Sequence, residues 1–263
     1  MAAASVLVLG ITTSEARAAT ADEPVVRAAG DIACDPSSTK FNNGNGTSRA
    51  CRARYTTELL AGVSAVLGDE QYEHGELESF RSSYALSWGA YGPIAKPAPG
   101  NHEYETAGAS GYFDYFTGFP RTTRGTSGHG IFSLSTRASA SRPGRRSTTG
   151  RRAISSSAAC TLAYSHEPRF KAGGVPVAKF EPIWQLLYDR GADVVLGGHA
   201  HNYQRFLPLD PGGSTDSARG IREFVVGTGG KSHQAVLSDP KVQSSNGRTY
   251  RVLGLRLKAS GYD

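Results

Sequence analysis

The sequence has no internal apolar run long enough to cross a bilayer, which excludes a membrane-spanning helix within the chain. It has no internal repeat. It has only three cysteines in 263 residues, so one disulfide can form within the chain and one thiol is left over. Acidic residues are missing from one stretch in particular, the segment that holds Arg137, Arg142, Arg145, Arg146, Arg151 and Arg152. Those six arginines equal the whole net charge of +6, and the rest of the chain is neutral. A basic excess confined to one segment does not make a general nucleic-acid binder, so no nucleic-acid partner is expected.

The length allows one large domain or two small ones. Residues 1–18 read as a targeting segment. Ala2 to Ile11 is a short apolar run, and Ala16-Arg17-Ala18 is a small-x-small pattern that suits signal peptidase, although no positive residue precedes the run. A buried first strand or helix is the alternative. In an exported chain, Cys34 and Cys51 could staple the Asn-, Gly- and Ser-rich loop between them, against the alternative of two unrelated buried thiols. Cys160 has no partner. A secreted or extracytoplasmic location is therefore expected, with residues 24–263 as the folded domain.

Apolar segments with strand and helix periods alternate along the chain. Strands are expected at Val25 to Ala29, Ser64 to Leu67, Ala95 to Pro99, Leu162 to Ser165, Asp193 to Leu196, Gly220 to Gly227 and Tyr250 to Leu257. Helices are expected at Arg52 to Gly62, Glu76 to Trp88, Gly111 to Phe116 and Phe180 to Arg190. Lys171 to Pro176 and Leu207 to Ser217 read as surface loops. Such alternation predicts an α/β domain. Asp31, Asp69, Asn101, His166 and His199 each follow the end of an expected strand, the edge at which open α/β sheets bind ligands.

The chemistry is carried by short motifs at those ends. Gly30-Asp31-Ile32-Ala33 offers one carboxylate. Gly68-Asp69-Glu70-Gln71-Tyr72 offers a carboxylate and a phenol. Gly100-Asn101-His102-Glu103 offers an amide and an imidazole. His166-Glu167-Pro168 offers one imidazole, and Gly198-His199-Ala200-His201 offers two. Carboxylates and imidazoles are the donors that a pair of oxygen- and nitrogen-ligated metal ions requires. Alternate residues of an extended segment point the same way, so two metals can be reached from His199 and His201 only if the loop twists.

Taken in this order, Asp, GDxxY, GNHE, His and GHxH, the motifs resemble the signature of the calcineurin-like metallophosphoesterase superfamily, over roughly Val25 to Phe206. Many members have Asp-x-His in the first motif. Here Ala33 stands in place of that histidine, and Tyr72 supplies a phenol in the second motif, as in purple acid phosphatases. The resemblance implies a four-layer αββα sandwich of two mixed sheets flanked by helices. It implies two metal ions, the first held by Asp31, Asp69, Tyr72 and His201, the second by Asp69, Asn101, His166 and His199, with Asp69 bridging. A tyrosinate implies Fe(III) at the first site, with Fe(II), Zn(II) or Mn(II) at the second. The implied reaction is attack of a metal-bridged hydroxide on phosphorus, with Asp69 and His102 as catalytic residues and His102 as the general acid.

The implied substrate is a phosphorylated small molecule, cleaved as an acid phosphatase cleaves a monoester. Diester hydrolysis and a non-catalytic relic that keeps the ligands are the alternatives. His102, Asn202 and Tyr203 are candidate substrate contacts. Asn202, Tyr203 and Arg205 equally suit packing under the loop. Glu70 and Glu73 read as rim residues. His74, His129 and His233 read as surface histidines, with His233 close enough to a glycine-rich turn to approach the site. Ser135 to Ser157 is rich in Ser, Arg, Thr and Gly and reads as a linker or insert: a solvated, mobile loop, an anion-attracting flap over the phosphate site, or a stretch altered by a frameshift between about Thr136 and Ser157.

Overall fold

The computed structural model describes residues 25–60, 63–117, 132–136, 160–258 and 261–263. Residues 1–18, expected as a targeting segment, the six clustered arginines, His129 and nearly all of the 136–157 stretch lie outside the described residues.

The elements follow in the order β1 (Val25–Ala29), α1 (Ala53–Thr57), β2 (Val63–Val66), α2 (Leu77–Ser82), β3 (Ala95–Pro97), α3 (Ser110–Tyr115), β4 (Phe132–Thr136), β5 (Cys160–Tyr164), α4 (Glu181–Asp189), β6 (Val194–Gly197), β7 (Tyr203–Phe206), β8 (Arg222–Val226), β9 (Val242–Asn246), β10 (Leu253–Lys258) and β11 (Gly261–Tyr262). Two sheets form. The first has the order β11-β10-β1-β2-β3 and the second β4-β5-β6-β8-β7-β9. Both are mixed. β1, β2 and β3 run parallel with β10 antiparallel to β1, and β5, β6 and β8 run parallel with β4 and β7 antiparallel beside them.

The period of two along the strands builds the layers. In β5, β6 and β8, Leu162, Tyr164, Val194, Leu196, Phe224 and Val226 join the core that holds Val26, Ala28, Ala65 and Val66 of the first sheet. The alternate residues Ala163, Val195 and Val225 face the other way and pack on Trp184 of α4, with Leu187 and Tyr188 beside them. On the first sheet's side, α2 and α3 bring together Phe80, Tyr84, Tyr112, Tyr115 and Phe116, with Phe80 stacked on Tyr115 at 4.9 Å between ring centres. The order is helices, sheet, sheet, helix, the four-layer sandwich.

Helices are shorter than the periodicity predicts. The helix expected at Arg52 to Gly62 is cut to Ala53–Thr57. The one expected at Glu76 to Trp88 ends at Ser82 and continues as 3-10 turns at Tyr84–Leu86 and Trp88–Ile94. Ser82, Ser83, Ser87, Gly89, Gly92 and Pro93 explain the break, because serine hydroxyls compete for backbone groups and Gly and Pro disfavour the helix. The Ser82 hydroxyl donates to Glu78 O at 2.7 Å, and that of Ser87 to Tyr84 O at 3.1 Å. Four strands, β4, β7, β9 and β11, are absent from the expected set. β7 carries buried Gln204 where the pattern asks for an apolar residue, and β9 is an edge strand of sequence VQSSN.

A disulfide joins Cys34 to Cys51, with 5.3 Å between their Cα atoms, and Phe41 and Ala50 are buried against it. Among the described residues no helix is long and apolar enough to cross a membrane.

Candidate metal centre

The parallel strands of both sheets end on one edge, and the sheets are tied together there. Gly30 N donates to Val226 O at 2.9 Å, and Gly229 N to Gly30 O at 2.9 Å. The residues just beyond β1, β2, β3, β5 and β6 therefore converge. Asp31, Asp69 and His199 have φ values of 61°, 49° and 67°. Left-handed backbone costs a non-glycine residue about 1–3 kcal/mol. It also turns each side chain out of the strand's own alternation. Gly68 and Gly100 make the close approach possible. A Cβ on Gly68 would lie 2.6 Å from the His166 side chain, and one on Gly100 would lie 2.1 Å from Asp69 Oδ1.

Two donor clusters result, and Asp69 belongs to both. In the first, the Tyr72 hydroxyl donates to Asp31 Oδ1 at 2.8 Å and lies 3.0 Å from Asp69 Oδ2 and 3.0 Å from His201 Nε2. His201 Nε2 is 3.2 Å from Asp31 Oδ1. In the second, His166 Nε2 is 3.2 Å from Asp69 Oδ2 and 3.2 Å from Asn101 Oδ1. His199 Nδ1 is 3.0 Å from Asn101 Oδ1 and 3.3 Å from His166 Nε2. The left-handed turn at His199 sends it to the second cluster while His201 reaches the first. All seven residues expected as ligands are brought together. One carboxylate oxygen, Asp69 Oδ2, faces both groups.

The remaining atoms of these side chains are held by the protein. Asp31 Oδ2 accepts the His199 N–H at 2.8 Å, and Asp69 Oδ1 accepts the His102 N–H at 2.9 Å. His166 Nδ1 lies 2.8 Å from Leu67 O. A carbonyl can only accept, so Nδ1 carries a proton and donates it, which directs Nε2 to the cluster. His201 Nδ1 is 2.6 Å from the Ser232 hydroxyl, and Gln234 Oε1 accepts the His201 N–H at 3.2 Å. Glu103 is fully buried and accepts the N–H groups of Asp69 at 2.9 Å, Gln71 at 3.1 Å and Gly100 at 2.6 Å. One carboxylate thus couples the turns that carry Asp69 and Asn101.

The electrostatics fit a cation. Burial pushes the Asp69 carboxyl up, but the His166 imidazole beside it, with a smaller pull from His102, brings it below the usual carboxylate range. Burial works against a charged His166, and the Asp69 carboxylate outweighs it, so the imidazole is pushed up to about 10. Burial raises the Tyr72 phenol well above its ordinary value, and the carboxylates of Asp31 and Asp69 raise it further. In the first cluster two carboxylates, an imidazole nitrogen and a phenol oxygen crowd around a single hydroxyl proton. Such a donor set suits a positive ion, and only a strongly polarising one would ionise the phenol against two carboxylates. In the second cluster the ligand atoms of Asp69, His166 and His199 lie within 4.8 Å of one another.

A cleft of about 350 Å³ opens over the clusters, lined by Asp69, Asn101, His199 and His201 together with Glu73, His102, Lys171, Lys231 and Gln234. The His102 ring packs on Tyr72 at 4.2 Å, and its Nδ1 meets the Glu73 carbonyl oxygen. Asn202 and Tyr203 do not line the cleft. Asn202 is buried, with Gln204 donating to its Oδ1 at 2.8 Å, and Tyr203 packs against the inter-sheet core, so both take the packing role of the two that the sequence allowed. Glu70 is a correction. It is not a rim residue but fully buried, because the chain turns inward after Asp69, and burial with Glu103 as neighbour raises its carboxyl well above the ordinary value. Glu73 is at the rim, paired with Lys231. His74 is exposed, and His233 stacks on Tyr250 at 3.9 Å. Sequence reasoning missed Lys171, Lys231, Ser232 and Gln234. The run Gly227 to Gly230 before Lys231 was the available signal.

None of the curated proteins compared matches the sequence significantly. Among solved structures the fold is similar to that of the purple acid phosphatase PPD1 from seeds of yellow lupin (Lupinus luteus), with a TM-score of 0.59, 15% identity, and coverage of 88% of this chain and 49% of that one. This chain thus spans about half the length of the lupin protein. It is also similar to GAP50, described as the anchor in the inner membrane complex of Plasmodium, with a TM-score of 0.54, 8% identity, and coverage of 91% of this chain and 82% of that one. One fold serves a phosphatase and an anchor, so activity has to be argued from the site. The family model for the calcineurin-like phosphoesterase matches residues 52–203, more than half of the sequence and four of the five motifs. With both sheets and the convergent donors in place, the chain belongs to the calcineurin-like phosphoesterase family.

Proposed function

We propose that this chain is a metal-dependent phosphoester hydrolase with a two-metal centre, acting on phosphorylated small molecules and exported from the cytoplasm. The observation that carries the proposal is the placement of Asp69 Oδ2 within 3.0 Å of Tyr72 in one donor cluster and 3.2 Å of His166 in the other. Asp31, Asp69, Tyr72 and His201 would hold the first ion, and Asp69, Asn101, His166 and His199 the second. The phenol of Tyr72 favours Fe(III) in the first position, and the amide and imidazoles suit Fe(II), Zn(II) or Mn(II) in the second. Bound there, the ions supply Lewis-acid stabilisation of phosphoryl oxygens and a water acidic enough to act as a nucleophile.

The chain's own residues do the rest. Asp31 and Asp69 are each fixed through a second oxygen by a backbone N–H, so their metal-facing oxygens do not rotate. His102 lies in the wall of the cleft, with its Nε2 3.9 Å from Asp69 Oδ2. The Glu73 carbonyl accepts from Nδ1–H, which leaves Nε2 facing the cleft as the atom that would pass a proton to the leaving alkoxide. The cleft is small and polar, which favours a phosphomonoester over a bulky diester. The disulfide between Cys34 and Cys51 supports an oxidising, extracytoplasmic compartment.

The test is hydrolysis of p-nitrophenyl phosphate and its bis-ester after reconstitution with iron and zinc or with manganese, beside Asn101→Ala. Metal-dependent turnover that is lost in the variant, with the monoester preferred, is the expected result. Folded, metal-loaded protein with no turnover of either ester would sink the hydrolase reading, and preference for the bis-ester would replace phosphatase with phosphodiesterase.

A further inference from the structure

We propose that Lys171 determines substrate specificity, selecting small organic phosphates whose leaving group carries a second anionic group. The proposal rests on the hydrolase reading of the site. Apart from the candidate ligands and His102, the charged side chains lining the cleft among the described residues are Glu73, Lys171 and Lys231. Two of these cancel. The Lys231 ammonium pairs with the Glu73 carboxylate and lies 4.1 Å above the Tyr72 ring. Lys171 pairs with no carboxylate among the described residues. Among the described residues, one cation lining the cleft, Lys171, is therefore left without a carboxylate partner.

Its backbone is held in place, although the side chain is exposed. The neighbours Phe170 and Ala172 are both buried. Phe170 N donates to Glu223 Oε2 at 2.9 Å, and Ala172 N donates to the side-chain oxygen of Gln204 at 2.8 Å. Lys171 O accepts from Gly174 N at 2.9 Å, which closes the turn on its other side. Both anchoring side chains stand on strands of the second sheet, Glu223 on β8 and Gln204 on β7. A cation fixed at its Cα loses less freedom on pairing with a ligand than one on a free loop. A phosphoryl group alone fills only part of a cleft of about 350 Å³, so the rest of the substrate occupies the space that Lys171 borders. An aryl or alkyl leaving group gives the ammonium no partner, whereas a carboxylate or a second phosphate does.

The experiment uses the full chain loaded with metal and two non-hydrolysable probes, methylphosphonate and phosphonoacetate, titrated calorimetrically. The second probe adds one carboxylate to the same phosphonate. The expected result is that the ratio of affinities, phosphonoacetate over methylphosphonate, falls roughly tenfold in Lys171→Gln and recovers in Lys171→Arg, the size expected for one hydrogen bond to a charged group near water. In the double variant Glu73→Gln, Lys231→Gln, which removes the neutral pair together, the ratio should move less. A ratio unchanged in Lys171→Gln, an equal fall in the Glu73→Gln, Lys231→Gln double variant, or no phosphonate binding overturns the proposal. Hydrolysis of p-nitrophenyl phosphate by the unaltered chain tests the underlying reading separately. A Lys171-dependent ratio without turnover would retain the anion site and remove the hydrolase, and turnover with a Lys171-independent ratio would do the reverse.

Discussion

Replacing Glu103 should loosen the centre without touching a single proposed ligand. Its carboxylate is fully buried and accepts three backbone N–H groups, from Asp69, Gln71 and Gly100. Glu103→Ala leaves all three donors buried and unpaired. Each such loss costs about 1–3 kcal/mol, so the sum is roughly 3–9 kcal/mol. A domain's whole stability is about 5–15 kcal/mol, so the alanine variant should be largely unfolded or melt far below the parent. Glu103→Gln is the informative change. Its amide oxygen can serve Asp69 N and Gly100 N, which share Oε2, while its NH₂ opposes the Gln71 N–H. One lost bond then costs about 1–3 kcal/mol. For a domain of this size that lowers the melting temperature by about 2–12 °C. The assay is thermal unfolding followed by circular dichroism, with and without added metal. The metal-induced rise in melting temperature should also shrink in Glu103→Gln, since the turns carrying Asp69 and Asn101 are no longer clamped together. A melting temperature and a metal response both equal to the parent's would refute the assignment of Glu103 as the clamp.

Two further outcomes are expected. Cys34→Ser or reduction with dithiothreitol opens a link across a sequence separation of 17, which should remove about 3 kcal/mol and lower the melting temperature by about 6–12 °C; an unchanged melt would show that the loop is held by other contacts. Glu223 is buried, and burial raises its carboxyl to about 8 against the backbone N–H groups of Arg169 and Phe170 that bond to it. A raised acid makes its stabilising contribution below its unfolded value, and that contribution falls away as pH rises towards 8. Stability should therefore decline from about pH 5 to pH 8 through this group, and Glu223→Gln should flatten that slope. An unaltered slope in urea unfolding at several pH values would show that Glu223 does not titrate in this range.

The order of ligand-type residues and their places at strand ends were legible in the sequence, because glycines mark the turns and the apolar runs before them have strand period. The α/β alternation was equally plain, and the pairing of Cys34 with Cys51 stood among the alternatives for a loop of that composition. β7 and β9 were not legible, since Gln204 is buried by its bonds to Ala172 N and Asn202, and such a partner is invisible in a linear pattern. Glu70 was misread for the same reason. An acidic residue beside a ligand looks like a rim residue until the chain is seen turning inward.

What the sequence determined by itself is the set of donors, each a residue type whose chemistry does not depend on its neighbours. Which donors meet was decided by tertiary structure alone. The left-handed turn at His199 divides His199 and His201 between two clusters, the two sheets bring Asp69 to both, and a buried Glu103 ties turns more than thirty residues apart. Lys171 and Lys231 entered the site in the same way. Charge is a property of the residue, but whether a charge is compensated depends on what folding places beside it, and only Lys231 has Glu73.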